Sequence, residues 1–117
     1  MRDRHLAERR GRRAETLAAL WLTLRGWRIV ARRRRMPMIE VDIVARRGGI
    51  LAVVEVKRRA TMEAAVCALT PWAAARLSQA AQQLAAEASR SGRPVAARVD
   101  LIALAPRRWP RHIPGVQ

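Results

Sequence analysis

Two β-branched runs separated by a pair of glycines constrain this chain first. Ile39-Glu-Val-Asp-Ile-Val-Ala45 and Ile50-Leu-Ala-Val-Val-Glu-Val-Lys57 flank Arg46-Arg47-Gly48-Gly49. Branching at Cβ restricts Val and Ile to rotamers that suit a strand. Glycine adopts the positive φ that a tight hairpin turn requires. The pattern predicts an antiparallel hairpin. Side chains alternate faces along a strand, so Glu40 shares a face with Asp42, and Glu55 with Lys57. If Gly48-Gly49 is a two-residue turn, paired positions sum to 97. Asp42 then stands opposite Glu55, and Glu40 opposite Lys57. A four-residue turn shifts the register and keeps all four on one face.

Three carboxylates and a lysine therefore converge inside otherwise apolar strands. Directly opposed carboxylates repel and weaken the pair, unless a cation sits between them. Mg²⁺ or Mn²⁺ suits such a patch, because these ions take oxygen ligands and bind through one or two carboxylates plus water and substrate phosphate. Lys57 is placed to orient or deprotonate an attacking water, or to stabilise transition-state charge. On a half-exposed hairpin the same residues would form ordinary ion pairs, but the flanking residues here are apolar on both faces.

Composition supplies the partner. The chain carries 24 basic residues against nine acidic ones over 117 positions, a net charge of +15. Twenty-three are arginine, and Lys57 is the one lysine. Arginine stays protonated, whereas lysine is compact and titrates more readily, so a site that needs an ammonium would resist replacement by arginine. The charge implies a polyanionic partner, most simply nucleic acid, with DNA favoured. Arg32, Arg33, Arg34 and Arg35, Arg58 and Arg59, and Arg107, Arg108 and Arg111 are the expected phosphate contacts. No apolar run is long enough for a membrane span, and no signal peptide is expected at the N-terminus. A single cysteine, Cys67, excludes an intramolecular disulfide and is read as a small buried residue. A cytoplasmic setting fits, and a homodimer is compatible with the chain.

The rest of the sequence frames the hairpin. Residues 1–13 read as a frayed basic lead-in to a helix, 14–105 as one domain, and 106–117 as a basic, Pro-rich tail. Leu17, Leu20, Trp21 and Leu24 recur at helical spacing before Gly26. Ala18, Ala19 and Leu22 make the opposite side apolar too, which predicts packing on more than one side, with Trp21 in the core and Glu15 on the second side. Trp27–Ala31 reads as a strand, residues 58–69 as a connector with one helical turn, and Thr70-Pro71 as the capped start of a helix reaching about Arg90. Val95–Leu104 is the last strand. The order α-β-β-β-α-β gives an α/β fold, a mixed sheet flanked by helices. Asp100 is expected to pair with Arg98, Gln79, Gln82 and Gln83 to face solvent, and His5 and His112 to be solvated. Trp27, Trp72 and Trp109 offer faces for bases, with packing the default.

Asp42…Glu55-Val56-Lys57 resembles the D…ExK signature of restriction-endonuclease-like nucleases. Gly11-Arg-Arg-Ala-Glu15, Gly26-Trp-Arg-Ile-Val30, the two hairpin runs, Leu69-Thr-Pro71 and Arg98-Val-Asp100 together resemble the YraN family of small bacterial proteins, and behind it the archaeal Holliday-junction resolvases. The resemblance implies a restriction-endonuclease-like fold and a Mg²⁺- or Mn²⁺-dependent endonuclease acting on structured or branched DNA in repair or recombination. It implies Asp42 and Glu55 as metal ligands, Lys57 as the catalytic lysine, Glu15 as the first-helix glutamate completing the acidic site, and Glu40 as the acidic residue of a Gly-Glu-Ile-Asp pattern. Ile39 replaces that pattern's glycine, and neither Trp72 nor Ala73 is the lysine expected after Thr-Pro. These departures motivate the alternative, a nucleic-acid-binding module of the same fold with weak or no turnover.

Overall fold

The computed structural model describes the backbone of residues 2–116 and the side chains of residues 11–116. The elements are α1 (Arg2–Leu24), β1 (Arg28–Arg35), β2 (Glu40–Arg47), β3 (Ile50–Arg58), α2 (Met62–Val66), α3 (Pro71–Arg90), β4 (Ala96–Leu104) and β5 (Arg111–Ile113). They form an α/β fold with one five-stranded sheet in the order β1-β2-β3-β4-β5. The β3–β4 pair is parallel and the other neighbours are antiparallel, so the sheet is mixed and the order α-β-β-β-α-β holds. The parallel pair requires a crossover, which α2 and α3 supply.

The hairpin forms as the glycines dictate. Gly48 takes φ +57, and pairing runs from Arg47↔Ile50 to Ile43↔Val54, the register of a two-residue turn. Helix ends also follow local chemistry. The Gly26 amide donates to the Thr23 carbonyl (3.1 Å) and the Trp27 amide to the Leu22 carbonyl (3.0 Å). With Gly26 at φ +89, this is a Schellman closure of α1. Thr70 Oγ1 accepts from the Ala73 amide at 3.1 Å, with Pro71 opening α3.

The sheet separates two apolar layers. Ala14, Ala18 and Leu22 of α1 pack on Ile43, Ala45, Ala52, Val54 and Ile102. Leu77, Ala80, Ala81 and Leu84 of α3 pack on Val41, Val44, Leu51, Val53 and Val99. Alternation along β3 thus feeds both faces, as a fully covered strand requires.

Several expectations are corrected. The helix begins at Arg2, so the basic lead-in is helical. Only one side of α1 is buried: Leu17, Leu20 and Leu24 are exposed, Leu24 by 75%. The sheet covers one face of the helix; on the second, Trp21 meets Trp109 from the segment before β5 and the leucines stay open. Trp21 is accordingly half-buried instead of core, and Cys67, just past the last turn of α2, is exposed. The Pro-rich segment adds β5 to the sheet, and His112 is drawn inward with it. His5 lies outside the described side chains. Gln79, Gln82 and Gln83 face solvent and Trp27 is buried, as expected. Among the described residues, no helix is long and apolar enough to cross a membrane.

Candidate functional site

The β2–β3 ladder opens one step beyond Ile43↔Val54, at Asp42 and Glu55. There the Val56 amide donates to Asp42 Oδ2 at 2.8 Å. The Asp42 carboxylate takes a hydrogen bond that a main-chain carbonyl would otherwise accept, and the two strands fork around it. On the far side β3 stays paired to β4, Glu55 beside Leu101 and Lys57 beside Ala103. The fork is therefore held by one rigid strand and one side chain.

A backbone irregularity in β1 and β2 shapes the same spot. Arg33 adopts φ +52, and pairing skips from Arg32↔Ile43 to Arg34↔Val41, leaving Arg33 and Asp42 unpaired. Strict alternation would put Val41 and Ile43 on one face. Instead Ile43 joins the α1 layer and Val41 the α3 layer. The left-handed conformation costs a non-glycine residue about 1 kcal/mol. Here it coincides with an ion pair, Arg33 Nε to Glu15 Oε2 at 2.7 Å, and that charge interaction raises the Arg33 pKa further.

The expected cluster forms only in part. Glu40 has no partner on β3, because β2–β3 pairing ends at Ile43↔Val54. It is exposed and paired with Arg35 across β1, at 4.0 Å. Glu15 is buried on the sheet side of α1, but its carboxylate is engaged by Arg33. Asp42 and Glu55 do come together, and Lys57 Nζ lies 4.0 Å from Glu55 Oε1. Burial, reinforced by a hydrogen bond with Asp42 and its charge, pushes the Glu55 carboxyl up to about 9; Lys57 opposes this and Glu15 adds to it. At neutral pH Glu55 therefore holds its proton. Among the described residues, no three Asp, Glu, His or Cys side chains gather around one point. The site offers two carboxylates, not four. An oxygen-seeking cation fits in place of that proton, since such ions need only one or two protein carboxylates.

The arginines divide similarly. Arg32 donates to Thr16 Oγ1 at 2.9 Å and Arg33 to Glu15, so both are tied to α1, while Arg34 and Arg35 are exposed. Arg59 is exposed and donates to the carbonyl of Arg58. Arg13, Arg58, Arg107 and Arg108 line a pocket of about 410 Å³ between α1 and the ends of β3 and β4. Arg58 follows Lys57 directly, which places this basic pocket at the same end of the sheet as the fork. Sequence reasoning did not single out Arg13, because nothing local brings it to Arg107. Asp100 is paired with Arg98 as expected, through two 2.8 Å hydrogen bonds. It also meets His112 Nε2 at 2.8 Å and accepts from the Gly115 amide at 3.1 Å, partners that no spacing rule predicts.

The sequence was compared with known proteins. The profile of the family described as "Uncharacterised protein family UPF0102" matches residues 14–104. A UPF0102 protein of Caulobacter vibrioides is 51% identical over 109 residues, covering 92% of this chain and 86% of the relative. A UPF0102 protein of Brucella canis is 47% identical over 106 residues, covering 91% and 83%. One from Caulobacter sp. strain K31 is 52% identical over 104 residues, covering 88% and 73%. Sequence identity at this level across nearly the whole chain means that it belongs to the UPF0102 (YraN) family.

Proposed function

We propose that this protein is a metal-dependent nuclease that hydrolyses phosphodiester bonds in DNA, with structured or branched DNA as the substrate class. The observation that carries this reading is the Asp42–Glu55 pair at the β2–β3 fork with Lys57 beside it, in a chain of charge +15. Asp42 and Glu55 hold Mg²⁺ or Mn²⁺, which when bound supplies positive charge to the phosphoryl oxygens. The Val56 amide fixes the orientation of Asp42. Lys57 positions the attacking water or donates to the developing oxyanion. The arginines of the neighbouring pocket hold the flanking phosphates. Glu15 and Glu40 act at longer range, through Arg33 and Arg35.

The test is a panel of branched, flapped, duplex and single-stranded DNA, with structured RNA for comparison, incubated with Mg²⁺ or Mn²⁺. Cleavage is expected to disappear in Asp42→Asn. It is expected to fall by about a hundredfold in Lys57→Arg, where charge is kept but the compact ammonium is lost. Cleavage that survives Asp42→Asn, or an unaltered rate in Lys57→Arg, overturns these assignments. A second reading, a binding module with no turnover, draws on the engagement of Glu15 by Arg33, which leaves two carboxylates at the fork. It expects salt-sensitive DNA binding, no cleavage of any substrate, and no calorimetric Mn²⁺ binding that depends on Asp42.

A further inference from the structure

The β5 side of the molecule carries a second concentration of arginine, here combined with tryptophan. Where α1 ends and β2 turns into β3, an open groove of about 800 Å³ is lined in part by Trp21, Arg25, Trp27, Arg47, Arg98 and Arg111. Trp109 stands at its edge, 5.9 Å from Trp21 between ring centroids with the planes inclined at 35°. The Arg25 guanidinium lies 4.1 Å from the centre of the Trp21 ring. Trp109 itself remains 81% exposed. Arg47 and Arg98 stack on the buried ring of Trp27. The adjoining carboxylate, Asp100, is fully engaged by Arg98, His112 and Gly115. Among the described residues, Arg25, Arg47 and Arg111 have no carboxylate partner.

An exposed indole beside arginines that no described carboxylate pairs with asks for a ligand with flat apolar faces and negative charge. Nucleic acid has both. In a duplex each base face is covered by its neighbours, so an indole can reach a base only where the strand is unpaired or ends. Aromatic stacking with arginines tracking the backbone is how single strands are held without sequence preference. We propose that this groove is a platform for an unpaired strand. One base stacks on the free face of Trp109, and the adjacent phosphates lie along Arg25, Arg47 and Arg111. The inference rests on the nuclease reading for its biological sense and sharpens it: the substrate carries a single-stranded arm. Arg111 pairs with Ala103, and Ala103 with Lys57, so the platform reaches the row of Lys57 two strands away from it.

The experiment is fluorescence anisotropy of a labelled oligothymidylate of about twelve nucleotides, with a duplex of equal length for comparison, using the full chain in EDTA. Trp109→Ala is expected to weaken single-strand binding about tenfold while duplex binding changes far less. Trp109→Phe keeps most of the affinity, and Arg25→Gln loses part of it. Trp109 lies outside both apolar layers, so the variant folds. Equal loss for single strand and duplex, or no loss for either, overturns the proposal. A Trp109-dependent dimer by sedimentation with oligothymidylate affinity unchanged also overturns it, in favour of an interface between copies of the chain. The two readings fail separately. Binding through Trp109 without cleavage of any substrate in Mn²⁺ supports the platform and removes only the nuclease reading. Cleavage through Lys57 with binding indifferent to Trp109 removes only the platform.

Discussion

A carboxyl group buried against a second carboxylate gives up its charge unless a cation arrives, and Glu55 is in that position. Its carboxyl is raised from 4.5 to about 9, mainly by burial and then by Asp42. The folded protein thus binds this proton more tightly than the unfolded chain does. Glu55's share of stability is fully present below about pH 4.5 and is lost as pH rises through about 9. Glu55→Gln keeps the shape and cannot ionise. In EDTA the variant and the parent are expected to melt alike near pH 5. Near pH 9 the variant is expected to be more stable by at least about 1 kcal/mol, or roughly 4 °C for a domain of this size. The same variant should not cleave DNA. Thermal melts across that range check the first half, and parallel curves for the two proteins would refute it. A position where the neutral residue is better for the fold and worse for the reaction is one retained for chemistry.

Among the elements, β5 depends most on a single side chain. Three residues pair with β4, too few to hold a strand in place unaided. Asp100 fastens the segment by meeting His112 and accepting from the Gly115 amide, while Arg98 occupies its other oxygen positions. Burial alone would raise the Asp100 pKa, but the hydrogen bonds from His112, Arg98 and Gly115 more than offset it and carry it below the usual carboxylate range. Its contribution is therefore present above that range and lost as pH falls through the depressed value. Asp100→Asn is expected to cost about 3 kcal/mol in urea unfolding near pH 7, because it leaves the half-buried Arg98 without its counter-charge. Amide exchange should accelerate over residues 111–116 more than in the hairpin; uniform acceleration would count against a local clamp. This element also marks where sequence reasoning stops. The hairpin and its register were legible, since turn chemistry and alternation are local. The Arg98–Asp100 pair was legible for the same reason. His112 and Gly115 sit 12 and 15 residues from Asp100 in a Pro-rich stretch with no strand pattern, and only tertiary contact reveals them. Arg33's left-handed backbone was hidden in a run of four identical residues. It coincides with the ion pair from Arg33 to Glu15, which no local pattern announces.

Across the whole molecule the charge is not a uniform coat. Arg32 and Arg33 are engaged by α1, and Arg98 by Asp100. A net +15 therefore overstates the number of cations available to a polyanion. The pocket of Arg13, Arg58, Arg107 and Arg108 is the densest group for which no described carboxylate is a partner. Arg107 holds φ +60 there, a conformation that persists in a non-glycine residue only where its surroundings fix it. If each of these four arginines neutralises one phosphate, the logarithm of duplex affinity falls against the logarithm of salt concentration with a slope of about −3.6 from the pocket alone. The double variant Arg107→Gln, Arg108→Gln is expected to flatten the measured slope by about 1.8. Arg33→Gln should leave the slope nearly unchanged, because its charge is already paired with Glu15. Anisotropy titrations at several salt concentrations decide between this and an evenly spread charge. In the even case all three arginines count alike, and Arg33→Gln should flatten the slope by about 0.9, half as much as the double variant. The contrast ties the charge to position, because the arginines nearest the fork would then hold the strand whose backbone Lys57 faces.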